Sequence, residues 1–181
     1  EPYVQYYFSH EAYSNYPVVN ITREAAELYC TWLSEEYEKT YADARKSRVI
    51  NFYLPSNIEW MYAASGGGKF FPYPWGGPYM KNSKGELLAN YQAYKGKRSK
   101  DQPETIAPTN VYFPNDFGLY NMSGNVAEMI YYHNTKEIGT KGGSWRSIAE
   151  DIKIKADDPF KGYKDADPEI GFRVAFTYLS R

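Results

Sequence analysis

Between Lys69 and Asn115 the chain loses all hydrophobic periodicity, and this stretch constrains the fold more than any other. It holds Pro72, Pro74, Pro78, Pro103, Pro108 and Pro114 together with Gly76, Gly77, Gly85 and Gly96. Prolines at this density remove ladder donors and break helices. An irregular run of over forty residues is far longer than the loops that usually join elements in a compact domain. Yet it carries Phe70, Phe71, Tyr73, Trp75, Tyr79, Tyr91 and Tyr94, and aromatics are what disordered segments lack. The sequence therefore predicts an ordered loop held by something other than backbone ladders. A bound ion is one natural device.

The rest of the composition agrees with a packed domain. Twenty Tyr, nine Phe and four Trp make up 18% of the 181 residues. At this length a chain buries about 70% of its unfolded surface, and neither a repeat nor a linker is visible, so one domain over residues 1–181 is expected. The single cysteine, Cys30, excludes an internal disulfide, a CxxC redox pair and a cysteine-rich zinc site. A net charge of −1 gives no general attraction to nucleic acid or to an anionic membrane. No apolar run approaches the ~20 residues of a membrane span.

Two helices stand out. Thr22 is an N-cap signal for a helix reaching about Ala44. Within it Ala25, Leu28, Tyr29, Trp32 and Leu33 fall at i, i+3, i+4, i+7 and i+8, which predicts a core-facing stripe. Glu27, Glu35, Glu36, Glu38 and Lys39 would form the solvated side. A strand is expected over Arg48–Leu54. Ser56 with Glu59 then makes a capping box for a second helix, with Trp60, Ala63 and Ala64 buried and Gly66-Gly67-Gly68 as the stop. Later strands are expected at Ala127–Tyr132, Ile138–Gly142 and Phe172–Tyr178.

Six segments, in order, resemble the formylglycine-generating enzyme family, also called sulfatase-modifying-factor domains. They are Tyr16-Pro-Val-Val-Asn-Ile-Thr22 leading into Ala26–Ser34; Leu54–Ala64; Tyr73-Pro-Trp-Gly76; Asn115–Glu128; Lys141-Gly-Gly-Ser-Trp145; and Ile170-Gly-Phe-Arg-Val174. The resemblance implies a C-type-lectin-like α+β fold with two main helices, small antiparallel sheets and long irregular loops. Family domains begin earlier, with further strands and a helix, so the chain is expected to lack the family's N-terminal part. Glu1-Pro-Tyr with Tyr6–His10 looks most like the branch found in gliding-motility and secretion-associated lipoproteins of Bacteroidota-type bacteria.

The resemblance also frames the chemistry. Enzymes of the family oxidise a substrate cysteine to formylglycine with two thiols that bind Cu(I), a metal suited to soft thiolates. The matching positions here are Ser147 and about Ile152. Cys30 lies on the first helix and is read as a small buried hydrophobe. Neither catalytic residues nor copper are therefore expected. Relatives of the ergothioneine type need three histidines, and this chain has only His10 and His133.

Calcium is the metal the resemblance leaves. Asn121, Gly124, Val126 and Glu128 match one family calcium site. The Asn and Glu would give side-chain oxygens and the other two carbonyls, a donor set suited to Ca²⁺. Positions 124, 126 and 128 also alternate onto one side of an extended segment. A second site would use Asn90 and Asp101 side chains with the carbonyls of Tyr91 and Pro103. The alternative for these Asn and Glu residues is to satisfy turn backbone. Trp75, Trp145, Ser147 and Arg173 are candidates to line a central groove, although core packing is the other role for each tryptophan and an ion pair the other role for Arg173.

These readings lead to an expected function as a non-catalytic, calcium-stabilised binding or scaffold module. Its expected partners are proteins of a bacterial envelope complex, and its expected location is exported, periplasmic or outer-membrane associated. Two alternatives stay open: an enzyme with altered chemistry in the same groove, and a calcium-linked lectin-like domain that binds a glycan.

Overall fold

The computed structural model describes residues 5–41, 48–69, 71–93 and 105–180. Among the described residues two α-helices and four of five short strands appear in the order expected, an α+β arrangement with two small sheets. Helix α1 spans Arg23–Tyr41 and helix α2 spans Asn57–Ala64. Strand β1 (Arg48–Tyr53) pairs antiparallel with β5 (Ala175–Ser180). The other sheet is three-stranded, with β2 (Ala127–Tyr131) between β3 (Ile138–Lys141) and β4 (Ile170–Gly171). The β2–β3 pair is antiparallel, as expected. The two-residue β4 lies parallel to β2, a ladder the sequence did not announce.

The second helix forms where its cap placed it. The Ser56 side chain accepts from the Glu59 amide, and the Glu59 carboxylate accepts from the Ser56 amide at 2.8 Å. At the other end Asn115 donates to the carbonyls of Ala63 and Ala64, at 2.6 and 3.1 Å. Both helix ends are thus satisfied by side chains, which a helix of two turns needs. Its buried face carries Trp60 and Ala64, packed with Met122, Ile130 and Ile154.

The first helix is rotated from the expected stripe. Arg23, Ala26 and Cys30 are its buried residues. Leu28, Tyr29 and Trp32 are exposed at 63%, 43% and 52%, and Ala25 is exposed too. The physical reason is closeness. Ala26 and Cys30 are small enough to bring the helix against Leu54, Ala127, Met129 and Ile170. Ser34 then locks the register, because its hydroxyl donates to the Cys30 carbonyl and accepts from the Phe52 amide of β1. Burial pushes the Cys30 thiol up, which keeps it an inert hydrophobe. The larger side chains one position away are left outside. Tyr29 stacks edge-on with Phe172 and lies beside Trp32.

Glu59 gives the fold a pH handle. Burial pushes its carboxyl up, but hydrogen bonds from Ser56 and Tyr53 outweigh that and hold it below the usual 4.5. The capping box therefore contributes its full stability above 4.5 and loses it as pH falls through the lower folded-state value. Glu59→Gln is expected to flatten this part of the acid limb in urea unfolding series run between about pH 7 and about pH 3. Ser56→Ala should cost about 1 kcal/mol at neutral pH. An unchanged acid limb in Glu59→Gln would contradict the assignment.

Candidate functional site

The Gly-Asn-Val-Ala-Glu segment enters β2 and meets the long loop there. Gly124 has φ +74°, and a Cβ on it would stand 2.3 Å from the Asn90 carbonyl oxygen, so only glycine fits. Asn125 follows at φ 69°, a conformation asparagine tolerates better than most residues. Its side chain is 1% exposed. The Asn125 amide oxygen accepts from the Ala107 backbone at 2.8 Å and from the Asn90 side chain at 3.1 Å. Its amide nitrogen donates to the Ala107 carbonyl at 3.0 Å. Asn90 is fully buried and also donates to the Thr105 carbonyl at 2.8 Å. Two side-chain amides therefore do what a sheet ladder would do for residues 90, 105 and 107. Asn125 was not among the candidate site residues. Its signal, an asparagine after glycine inside a turn-rich segment, is not specific enough to pick it out.

Glu128 lies on β2, 5% exposed. Its carboxylate accepts three N–H groups: Trp60 Nε1 at 2.7 Å, Arg173 Nε at 2.9 Å and Arg173 Nη2 at 2.7 Å. Arg173 also donates to the Tyr120 carbonyl. Burial works against the Arg173 charge, but the Glu128 charge and hydrogen bonds outweigh it and raise the guanidinium's pKa. This pair joins the Gly-Phe-Arg segment to β2 and to the tryptophan of α2.

Asn121, Glu128 and Arg173 line one cavity of about 520 Å³, with Tyr16, Val126 and Phe172 among its walls. Asn121 has φ 52° and donates its amide to the carbonyls of Pro108 and Thr109. Its amide oxygen is buried with no hydrogen-bond partner. Among the described residues no three His, Cys, Asp or Glu side chains gather, so a cation here would rest largely on amide and carbonyl oxygens. The donors present are compatible with Ca²⁺. Asn121 offers an unclaimed oxygen, and Glu128 uses three of about four lone-pair sites. The second set is less complete. Asn90 is committed to the buried network and Tyr91 is buried beside Tyr73 and Ile152, while Asp101 and Pro103 lie outside the described residues.

The four groove candidates do not share one cavity. Trp75 stacks on Tyr73 at 4.8 Å and lines a separate cleft. Trp145 packs with Val19, Ile106 and Val126 under the Arg146 guanidinium. Arg173 lines the cavity of Asn121. Ser147 belongs to a turn, where its hydroxyl accepts from the Ser144 amide at 2.9 Å and its carbonyl accepts from Gln92.

Ser147 and Ile152 do come together. A Cβ built on Gly143 would be 3.0 Å from the Ser147 hydroxyl and 2.8 Å from the Ile152 side chain. The two positions thus flank one point, as a two-thiolate site would require. They do not fit copper. Ser147 offers a hard oxygen already used by the turn, and Ile152 is an alkyl group with no exposure, packed against Tyr73, Ala89 and Tyr91.

Comparison with known proteins shows the family. The family described as "Sulfatase-modifying factor enzyme 1-like domain" matches residues 6–178, and the chain belongs to that family. It is 32% identical over 140 residues to the "Inactive C-alpha-formylglycine-generating enzyme 2" of Bos taurus, covering 75% of this chain and 40% of that protein. It is 32% identical over 120 residues to the "Formylglycine-generating enzyme" of Mus musculus, covering 64% of this chain and 27% of that protein. The chain thus spans less than half of either relative. Among solved structures, PvdO from Pseudomonas aeruginosa superposes with a TM-score of 0.66 at 20% identity, covering 91% of this chain and 63% of that one. CarF gives 0.65 at 20% identity, covering 94% and 70%. At such identities these two share the fold alone.

Two stability measurements test the site. Asn125→Ala removes both hydrogen bonds to the Ala107 backbone and one from the Asn90 amide and should cost about 3 kcal/mol in chemical denaturation. Arg173→Met strands the buried Glu128 charge and should cost about 3 kcal/mol. Adding Glu128→Gln to Arg173→Met should recover part of that loss. No recovery in the double variant would mean the pair is not what Arg173 supports.

Proposed function

We propose that this chain is a non-catalytic binding module of the sulfatase-modifying-factor family. One observation carries the reading: both positions that hold thiols in the family's enzymes are occupied by residues unable to bind Cu(I), and Ile152 seals one of them into the core. Likeness to a relative named as inactive supports it, although likeness to a formylglycine-generating enzyme is similar in degree. In this reading the fold is kept as a scaffold, and the cavity bounded by Asn121 and Glu128 holds calcium for stability. Calcium there would give the unclaimed Asn121 oxygen a partner and tie the Asn121 turn to β2.

We extend the reading to an exported protein acting with protein partners in a bacterial envelope complex, within the branch of gliding-motility and secretion-associated lipoproteins. The support is the Tyr-rich opening with Tyr6–His10. No helix of the described residues is long and apolar enough to cross a membrane.

The deciding assay incubates the protein with a cysteine-containing sulfatase peptide, copper and oxygen. Mass spectrometry is expected to show unchanged peptide, and a formylglycine product would overturn the reading. For calcium, melting with Ca²⁺ and with EDTA should differ. A ligand bound only by the folded state adds about 2.7 kcal/mol at a hundredfold excess over its Kd. Identical melting curves with no metal by elemental analysis would remove calcium from the proposal.

A further inference from the structure

A second cavity, of about 650 Å³, opens away from the Asn121 site, between the loop after α2, the Trp75 loop and the Phe113–Asp116 turn. Its apolar walls are Phe71, Trp75, Tyr79 and Phe113. Three of these rings are exposed at 45%, 76% and 46% (Phe71, Tyr79 and Phe113). Trp75 is the fixed member. Tyr73 lies parallel to it at 6° and is anchored by its own hydroxyl, which donates to the Ala149 carbonyl at 2.8 Å. The indole N–H donates to the Tyr79 carbonyl at 2.8 Å. The indole plane is therefore set before any ligand arrives.

Charge at the rim is one-sided. Lys69 and Asp116 form an ion pair, and Lys81, which also lines the cleft, has no ion pair among the described residues. Gly77 lines the cleft, and a Cβ there would meet nothing within 4 Å, so a side chain at this position has room.

We propose that this cleft binds an acidic saccharide, with pyranose rings laid on the aromatic side chains and a carboxylate facing Lys81. The volume is in the range of small-ligand sites and takes two or three sugar rings. Rigid aromatic faces suit the apolar C–H face of a pyranose and cost little entropy. Two features disfavour a peptide. The walls are irregular segments that include Pro74, Gly76, Gly77 and Pro114, with no named strand among the described lining residues for β-addition, and Lys81, without an ion pair among the described residues, favours an acidic ligand over a neutral proline-rich segment. The inference deepens the reading of the chain as a binding module and rests on it.

The test is calorimetric titration of the whole chain with trigalacturonic acid, with neutral galactotriose and with a proline-rich peptide. The acidic sugar is expected to bind with a Kd of about 1 mM or tighter, and at least about threefold more tightly than the neutral one. Gly77→Leu, which adds bulk at the cleft lining without straining the backbone, should weaken binding by about tenfold or more. Tyr79→Ala removes an exposed ring and should also weaken it. Lys81→Met should narrow the gap between the two sugars, and circular dichroism checks that each variant is folded. No binding of either sugar at about 20 mM, equal binding of the two, full binding in folded Gly77→Leu, or binding of the peptide alone would each overturn the proposal. Such a failure leaves the formylglycine assay untouched. A product in that assay overturns the non-catalytic reading whatever the cleft binds.

Discussion

The buried amide pair of Asn90 and Asn125 is the interaction on which the rest of this structure depends. The irregular run of residues 69–115 carries many backbone donors and acceptors, and those that are buried must find partners. Asn125 serves the Ala107 backbone in both directions and holds Asn90, which reaches Thr105. The close contact of Gly124 with the Asn90 carbonyl makes the junction tight. From it the chain runs directly into β2, so the same residues that order the loop also place Glu128. Asn115 and Asn121 repeat the device on neighbouring turns. The sequence pointed to an ion for this task. Among the described residues side-chain amides perform much of it, and calcium at Asn121 would add to them.

Ser147 and Ile152 both stand within about 3 Å of a Cβ built on Gly143. Ile152 has joined a core with Tyr73 and Tyr91, and its carbonyl accepts from Ser123 at 2.6 Å. Ile152→Cys would remove packing from that cluster, which is joined to the Trp75 cleft through Tyr73. The groove imagined from the sequence as one feature is therefore divided: one cavity around Asn121 and Arg173, another around Trp75, with a packed core between their supporting residues.

Local physics was legible from the chain. Ser56 and Glu59 cap α2 because the box needs only residues three apart, and the strands at 48–53, 127–131 and 138–141 fell where β-rich runs lay between turn residues. The last strand began later than expected, at Ala175, because Ile170 and Gly171 pair separately with β2. The face of α1 was not legible. A stripe of Leu28, Tyr29 and Trp32 has the right spacing for a core, but helix-to-sheet distance is set by the smallest side chains at the contact, and Ala26 with Cys30 won. The surplus of tyrosine divided similarly: Tyr73 and Tyr91 are core, while Tyr79 is open to solvent.

By itself the sequence determined the family and the two helices and their order, because these rest on residue identity and short-range spacing. The tertiary structure alone decided which oxygens are claimed. Glu128 meets Arg173 across 45 positions and Trp60 across 68, and Asn125 meets Ala107 across 18 and Asn90 across 35. Such partners are set by where loop closure brings the backbone. Nothing local to either residue encodes the pairing, and only the folded chain shows that the oxygen of Asn121 is left unpaired.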